Sequence, residues 1–219
     1  MKYEMCIFDL DGTTTDSVGA IAHTANMVLE LHGFAAHPVE AYKKFAGDGQ
    51  FELIKRALTA AGDKNLEKYD AVMSDYIKYF KTGCTYNVVP YDGIVELLNS
   101  LKSMGIKLAT LSNKRHENVI SVVETVFGGR IFDEVMGHTD LCPKKPAPDG
   151  VIKIMQKYGI SPDKCLYIGD TGTDMLTGKN AGVDTVGVTW GFRDRQELVQ
   201  TGAVYIVDSP KEILEIIND

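Results

Sequence analysis

The sequence predicts an α/β fold, with a Rossmann-like parallel β-sheet core flanked by helices and an inserted α-helical cap domain. Short apolar runs with strand character recur along the chain, and segments with helical spacing alternate with them. Residues 17–82 instead contain apolar residues at helical spacing without a convincing strand. The predicted domains are therefore an α/β core over residues 1–16 and 83–219 and a helical cap over residues 17–82.

Five segments have the pattern of buried parallel strands. The first covers residues 5–10 and runs into Gly12, which permits a sharp turn. The other four are residues 106–111, 165–168, 183–188 and 203–207. Because helical segments separate these strands, we expect the strands to run parallel.

The predicted helices have apolar faces at spacings of three and four residues. In the core these faces consist of Ile94, Leu97, Leu98 and Leu101; Val119, Val122, Val123 and Val126; Val151, Ile152 and Met155; and Ile213, Leu214, Ile216 and Ile217. In the insert they consist of Ile21, Ala25, Val28 and Leu29; Phe51, Ile54 and Leu58; and Ala71, Met73, Ile77 and Phe80. The last helix is expected to begin near Pro210.

The composition is that of a globular protein. The chain has 219 residues, of which 44% are hydrophobic, and a formal net charge of −7. This acidic balance argues against broad binding to nucleic acid or to anionic membranes, since both need clustered Lys and Arg. The expected partner is a small molecule held at a local site, and the oligomeric state, monomer or dimer, is left open.

The cysteines and the amino terminus favour a cytoplasmic location. Four cysteines lie far apart and form no C-x-x-C pair, so neither zinc nor a disulfide framework is indicated. Acidic residues interrupt the first apolar run before it could form a signal-peptide core. No apolar stretch has the length needed to span a membrane.

Acidic pairs follow two of the predicted strands. Asp9 and Asp11 come at the end of the first strand, and Asp170 and Asp174 follow the strand at 165–168. Two carboxylates about 4 Å apart repel each other by roughly 4 kcal/mol unless a cation or a shared proton lies between them. Oxygen ligands without His or Cys suit Mg²⁺. The alternative for both pairs is an acidic turn whose residues cap a helix.

Two further candidate ligand-binding residues are Ser112, after the strand at 106–111, and Lys145, in a later loop. Ser112 and Asn113 end the strand at 106–111, where a hydroxyl and backbone N–H groups at a helix start would cradle phosphate. The alternative, favoured when this motif is taken alone, is that Ser112 caps that helix or its preceding turn. Lys145 lies among prolines that stiffen its loop, with Lys144 as the fallback and a solvated charged loop as the alternative.

These motifs lie at the carboxyl ends of predicted parallel strands, where open α/β sheets bind ligands. They read DLDGT at 9–13, SNK at 112–114, KPAP at 145–148 and GDTGTD at 169–174, followed by NAGV at 180–183 and GVTWGF at 187–192. In this order, and along nearly the whole chain, they resemble the haloacid dehalogenase superfamily of phosphohydrolases. The DSVG run at 16–19 and GDG at 47–49 resemble its phosphoglycolate phosphatase branch.

The resemblance implies a role for each matching residue. Asp9 would be the nucleophile that forms an aspartyl phosphate, and Asp11 the general acid and base. Ser112, the backbone N–H of Asn113 and Lys145 would bind the phosphoryl group. The implied cofactor is Mg²⁺, held by Asp9, Asp11, Asp170 and Asp174. In the family, the residue that matches Asp11 binds the metal through its backbone carbonyl.

The implied function is Mg²⁺-dependent hydrolysis of a small phosphorylated metabolite, with phosphoglycolate as the first substrate to test. Inorganic pyrophosphatase and β-phosphoglucomutase-like phosphotransfer are alternatives, although a mutase would be expected to have His at position 21, where Ile21 stands. Dehalogenation is disfavoured because Asp11 is present. A non-catalytic phosphate-binding protein and a receiver-like domain are the alternatives from other classes.

Overall fold

The computed structural model describes residues 2–218. Strands β1 to β8 span Met5–Phe8, Thr15–Asp16, Val89–Pro90, Lys107–Arg115, Glu134–His138, Cys165–Gly169, Asp184–Val188 and Tyr205–Val207. Helices α1 to α10 span Val18–Leu31, Val39–Phe45, Gln50–Ala60, Tyr69–Gly83, Ile94–Ser103, His116–Phe127, Asp149–Tyr158, Gly172–Ala181, Arg195–Gln200 and Pro210–Asn218. Within the described range, every helix is too short or too polar to cross a membrane.

Six strands form the predicted parallel sheet. Their order is β5-β4-β1-β6-β7-β8, which places β1 between β4 and β6. Phe8 at the end of β1 pairs in register with Thr110 of β4 and Ile168 of β6. Residues that follow these three positions therefore meet at one edge of the sheet, which is where the candidate functional residues occur in the sequence.

The side chains of β1 alternate between two hydrophobic cores, as the pleat of a strand requires. Cys6 and Phe8 join the larger core, which includes α5, α6, α10 and the helical insert. Met5 and Ile7 join the smaller core on the other face, with α7. All four side chains are fully buried. Burial of Met5, Ile7 and Phe8 stabilises the fold by roughly 1.5–3 kcal/mol for each side chain, relative to leaving it exposed.

In the six-stranded sheet, the strand predictions differ from the structure in several places. The first strand, predicted at 5–10, ends at Phe8. The strand predicted at 106–111 continues as β4 to Arg115, which still pairs with His138 of β5 although Ser112, Asn113 and Lys114 are polar. Strand β5 was not predicted at all. Its sequence, EVMGH, is mostly half-buried and pairs only with β4 at the sheet edge, so it lacks the apolar run of a central strand.

The insert folds as the four helices α1 to α4, between Val18 and Gly83. A two-stranded antiparallel ribbon of β2 and β3 pairs the chain before the insert with the chain after it, Thr15 with Pro90 and Asp16 with Val89. The predicted domain limits at 16/17 and 82/83 stay a prediction.

Candidate active site

Three carboxylates meet at the carboxyl edge of the sheet. Asp9 follows β1, Asp170 follows β6, and Asp174 lies in the first turn of α8. One oxygen from each residue lies within 4.8 Å of the others, and all three residues are buried. The structure thus brings together acids from distant parts of the chain, because β1 and β6 are neighbouring strands in register.

Asp170 is held by two donors. The Thr13 hydroxyl donates to its Oδ1 at 3.0 Å, and the backbone N–H of Phe192 donates to its Oδ2 at 2.7 Å. Gly12 has a φ of +86°, and a Cβ there would lie 2.3 Å from Asp170 Oδ2. Only glycine lets the DLDGT turn approach this carboxylate so closely.

Asp174 makes the predicted helix cap and also faces the site. Its Oδ2 accepts hydrogen bonds from the backbone N–H and the hydroxyl of Thr171, at 3.1 and 2.7 Å. The backbone N–H of Asp174 in turn donates to Thr171 Oγ1 at 3.4 Å, which completes the capping box of α8. Its Oδ1 accepts from Lys145 Nζ at 2.7 Å and from the Tyr167 hydroxyl at 3.3 Å. One carboxylate therefore caps a helix and contributes charge to the cluster.

Lys145, and not Lys144, lies in the acidic cluster. Its Nζ is 2.7 Å from both Asp9 Oδ1 and Asp174 Oδ1, and its side chain is 4% exposed. Its backbone N–H donates to Asn113 Oδ1 at 2.8 Å, and its carbonyl accepts from Asn113 Nδ2 at 3.2 Å. The Lys144 ammonium points instead to the carbonyl of Asp48, at 3.4 Å.

Lys145 Nζ and Asp9 Oδ1 form a buried ion pair at 2.7 Å. Apart from this ammonium, Asp9 Oδ1 has no polar partner among residues 2–218. The ammonium offsets the charge of this oxygen and leaves it able to contact a further cation or a ligand.

The structure places the Asp11 carboxylate outside the acidic cluster. Strand β1 ends at Phe8, and the chain turns before Asp11, so Asp9 and Asp11 do not share an extended segment. Asp11 Oδ1 accepts from the Ser17 hydroxyl at 2.5 Å and from Lys114 Nζ at 2.6 Å. Its carboxylate lines the same cavity as Asp9.

Ser112 and Asn113 also line this cavity, but the expected helix start is absent there. Both residues lie inside β4, and α6 begins only at His116 with Arg115 as its N-cap, without a capping side chain. The expectation of a helix N-terminus at Ser112 was therefore wrong, and so was Ser112 as its cap. The Ser112 hydroxyl accepts from the backbone N–H of Lys114 at 3.2 Å.

The cavity at these residues encloses about 50 Å³ between the sheet edge and the insert. Its sheet side is formed by Asp9, Asp11, Ser112, Asn113 and Lys114. Its insert side is formed by Ile21, Ala46, Gly47, Gly49, Gln50, Leu53, Tyr76 and Phe80. That volume has room for roughly four water-sized groups, which suits a small ligand.

The electrostatics of the cluster fit a divalent cation. Burial, with Asp174 as the second cause, raises the pKa of Asp170 to about 7. Burial also raises the pKa of Asp9, against the opposing charge of Lys145. The three carboxylates of the cluster and the Lys145 ammonium leave two negative charges. One divalent ion would neutralise these charges, and hard carboxylate oxygens are suitable ligands for it.

The loop between α2 and α3 contacts the core beside this cluster. Thr173 donates to Asp48 at 2.8 Å, and Asn113 Nδ2 donates to the Gly47 carbonyl at 3.2 Å. Arg193 donates to the Ala46 carbonyl at 2.8 Å. GDG at 47–49 is recognisable in the sequence, but the contacts of this loop with Thr173 and Arg193 are not, because no local pattern reveals contacts between such distant segments.

A buried carboxylate at the end of a central parallel strand, with further acids and a lysine from neighbouring loops, lies where open α/β sheets bind their ligands. The chain belongs to the haloacid dehalogenase-like hydrolase family, whose family model matches residues 6–188.

Relatives with names agree with this assignment. The phosphoglycolate phosphatase of Psychrobacter arcticus is 32% identical over 91% of this chain and 89% of its own length. That of Aquifex aeolicus is 34% identical over 85% of this chain and 84% of its own. A crystal structure from Lactobacillus delbrueckii subsp. bulgaricus, provisionally named a phosphoglycolate phosphatase, superimposes with a TM-score of 0.92 at 32% identity and 99% coverage of both chains. The protein is therefore a phosphatase of this family.

Proposed function

We propose that this phosphatase hydrolyses a small phosphomonoester, with phosphoglycolate as its leading substrate, through a phosphorylated Asp9. The observation that carries the proposal is the buried Asp9 carboxylate, which lines a small cavity beside Asp170, Asp174 and Lys145. The names of the relatives support the choice of phosphoglycolate. In the same proposal residues 17–82 act as the cap, and the enzyme works in the cytoplasm.

The first step forms a bond between an Asp9 oxygen and phosphorus and breaks the bond between phosphorus and the leaving oxygen. Asp11, on the wall of the same cavity, gives a proton to that oxygen, so the alcohol leaves neutral. Lys145 balances the charge of the phosphoryl oxygens, which Ser112 and the backbone N–H of Asn113 bind. The product of this step is an aspartyl phosphate.

The second step hydrolyses the aspartyl phosphate. Asp11, now ionised, takes a proton from a water molecule whose oxygen attacks phosphorus. The bond between phosphorus and the Asp9 oxygen breaks, which releases inorganic phosphate and restores the carboxylate. The loop at 46–49 contacts the core above the cavity, and this contact limits the access of bulk water.

The proposed cofactor is Mg²⁺. The carboxylates of Asp9, Asp170 and Asp174 and the backbone carbonyl of Asp11 would hold it. When bound, the ion neutralises negative charge so that a carboxylate and a phosphate tolerate close approach.

We expect Mg²⁺ to raise the melting temperature of the protein at pH 8 and to raise it much less at pH 6. The pKa of Asp170 is raised to about 7, so a proton competes with the cation below that pH. Without metal, the stability of the protein changes with pH in the opposite direction. The folded state binds the Asp170 proton more tightly than the unfolded chain does, so the free energy of unfolding falls as pH rises from about 4 to 7. At about 100 times its Kd, Mg²⁺ should add about 2.7 kcal/mol, measured by calorimetric melting.

The matched variants for this experiment are Asp170→Asn and Asp163→Asn. Without metal, Asp170→Asn should melt at or above the parent temperature, because it removes a buried carboxylate whose pKa is raised. It should also show no shift with Mg²⁺. Asp163 is exposed and remote from the cluster, so its variant should keep the full shift. An Asp170→Asn protein with the full Mg²⁺ shift would contradict this ligand assignment.

Lys145→Met is expected to lower kcat/KM by about 10²-fold, the loss typical when one preorganised charge contact is removed. Lys144→Met provides the control, since the Lys144 ammonium contacts only the Asp48 carbonyl among the described acceptors. It should change kcat/KM by no more than a few-fold. Steady-state phosphate release compares the two, and equal losses would refute the assignment of Lys145.

A substrate panel tests the proposed function itself. Phosphate release with Mg²⁺ is measured for phosphoglycolate, sugar phosphates, nucleotides and pyrophosphate. Phosphoglycolate should give the highest kcat/KM. Faster release from pyrophosphate would favour the pyrophosphatase alternative, and conversion of one sugar phosphate into its isomer without net release would favour the mutase. The absence of release from every ester would overturn the proposal.

A further inference from the structure

A second buried ammonium group lies in the cavity, and the steps above do not use it. The side chain of Lys114 is 4% exposed, and its Nζ lies 2.6 Å from Asp11 Oδ1. The ammonium also lies 5.5 Å from the centroid of the Phe80 ring, on the insert side of the cavity. Lys114 therefore stands between the proposed proton donor and the space for the leaving group.

Holding Asp11 in place does not account for this lysine. The Ser17 hydroxyl already donates to the same oxygen, Asp11 Oδ1, at 2.5 Å. Burying this ammonium carries a desolvation cost, which the ion pair with Asp11 offsets only in part. The ammonium has three donors, of which one has an acceptor among residues 2–218. Two donors are thus available to a ligand.

Lys114 is also the sole cation among the described residues that line this cavity. The insert side of the wall is largely apolar, with Ile21, Leu53 and Phe80 among its residues. The nearby guanidinium of Arg56 is occupied by Asp48 and by the carbonyl of Phe45. An anionic group on a ligand in this space would therefore find its charge partner at Lys114.

We propose that Lys114 forms a subsite for a carboxylate on the leaving group, and this inference rests on the proposed function. Asp11 protonates the leaving oxygen in that function, and Lys114 Nζ lies 2.6 Å from Asp11. A carboxylate one carbon away from the leaving oxygen therefore falls within reach of Lys114. The substrates selected are 2-phosphonooxy carboxylates, of which phosphoglycolate is the smallest and best fits a cavity of about 50 Å³.

The test compares phosphoglycolate with its neutral carboxamide isostere, 2-(phosphonooxy)acetamide. The parent enzyme should prefer the carboxylate by on the order of 10²-fold in kcat/KM, as expected for a charge-assisted contact in a water-poor site. Lys114→Met should reduce this preference to within a few-fold, and Lys114→Arg should retain most of it. Any loss caused by the altered surroundings of Asp11 affects both substrates equally and cancels in the ratio.

A binding measurement gives a second readout that needs no turnover. In Asp9→Asn protein, calorimetry should find phosphoglycolate at least tenfold tighter than the amide, and adding Lys114→Met should remove the difference. Arg56→Met serves as the control for a nearby cation outside the cavity and should keep the preference.

The outcomes separate the two proposals. If the parent hydrolyses both esters and Lys114→Met slows both by the same factor, Lys114 acts only through Asp11 and the subsite is refuted, while the proposed function stands. Equal affinity of the Asp9→Asn protein for the two ligands would refute it as well. If no ester is hydrolysed but phosphoglycolate still binds through Lys114, the subsite stands and the proposed hydrolysis fails.

Discussion

Asp9→Asn is expected to abolish turnover, with kcat for phosphate release from phosphoglycolate lowered by about 10⁴-fold or more. An amide oxygen is a far weaker nucleophile than a carboxylate, and Asp9 is the residue that directly follows the central strand β1. The fold should not suffer. Burial raises the pKa of Asp9, so a neutral side chain of the same shape is well tolerated there.

The measurement is steady-state phosphate release in the presence of Mg²⁺, together with a melting curve for each protein. Asp163→Asn makes the same chemical change in an exposed turn far from the cavity and should keep the parent rate. A folded Asp9→Asn enzyme that works within tenfold of the parent would show that the nucleophile is another group.

Asp11→Asn should lower the steady-state rate by about 10³-fold, within the usual contribution of a general acid and base. Asparagine can still accept hydrogen bonds from Ser17 and Lys114, so the local structure is preserved. The loss should depend on the leaving group. An aryl phosphate such as p-nitrophenyl phosphate needs little protonation to leave, so the first step should stay fast while hydrolysis of the aspartyl phosphate becomes slow.

The diagnostic result for Asp11→Asn is a burst of one equivalent of nitrophenol followed by slow turnover, seen by stopped-flow absorbance. Asp16→Asn is the neighbouring control, since Asp16 is exposed in β2, and it should show the parent kinetics without a burst of this kind. Slow turnover without a nitrophenol burst would show that the first step limits this variant. That result would contradict the proposed role of Asp11 in hydrolysing the aspartyl phosphate.

The central part of the fold is predictable from the sequence because its signals are local. Strands β1 and β6 are buried on both faces and therefore read as uninterrupted apolar runs. Strand β5 has Glu134, Gly137 and His138 in five residues, a composition that a half-buried edge strand tolerates. The polar end of β4 was missed for a different reason: Ser112, Asn113 and Lys114 are buried beside the site, so hydropathy does not mark them as strand.

The candidate site was predictable in its residues but not in its contacts. The motifs identify Asp9, Asp170 and Asp174, because strand ends in a parallel sheet share one edge. The choice of Lys145 over Lys144 depends on two backbone hydrogen bonds between Lys145 and the side chain of Asn113, 32 residues away. The ion pair between Lys114 and Asp11 joins residues 103 positions apart. Neither contact has a local signature, so each needed the coordinates.

The β2–β3 ribbon limits how the four helices of the insert can move. The chain enters and leaves the insert through two segments that lie side by side and are paired, Thr15 with Pro90 and Asp16 with Val89. Because the insert is attached to the core along this ribbon, it could rotate about the ribbon but could not translate away from the core. The loop at 46–49 contacts the core beyond that attachment, beside Thr173 and Asn113. A rotation of the insert about this ribbon would break these contacts while the ribbon stayed paired.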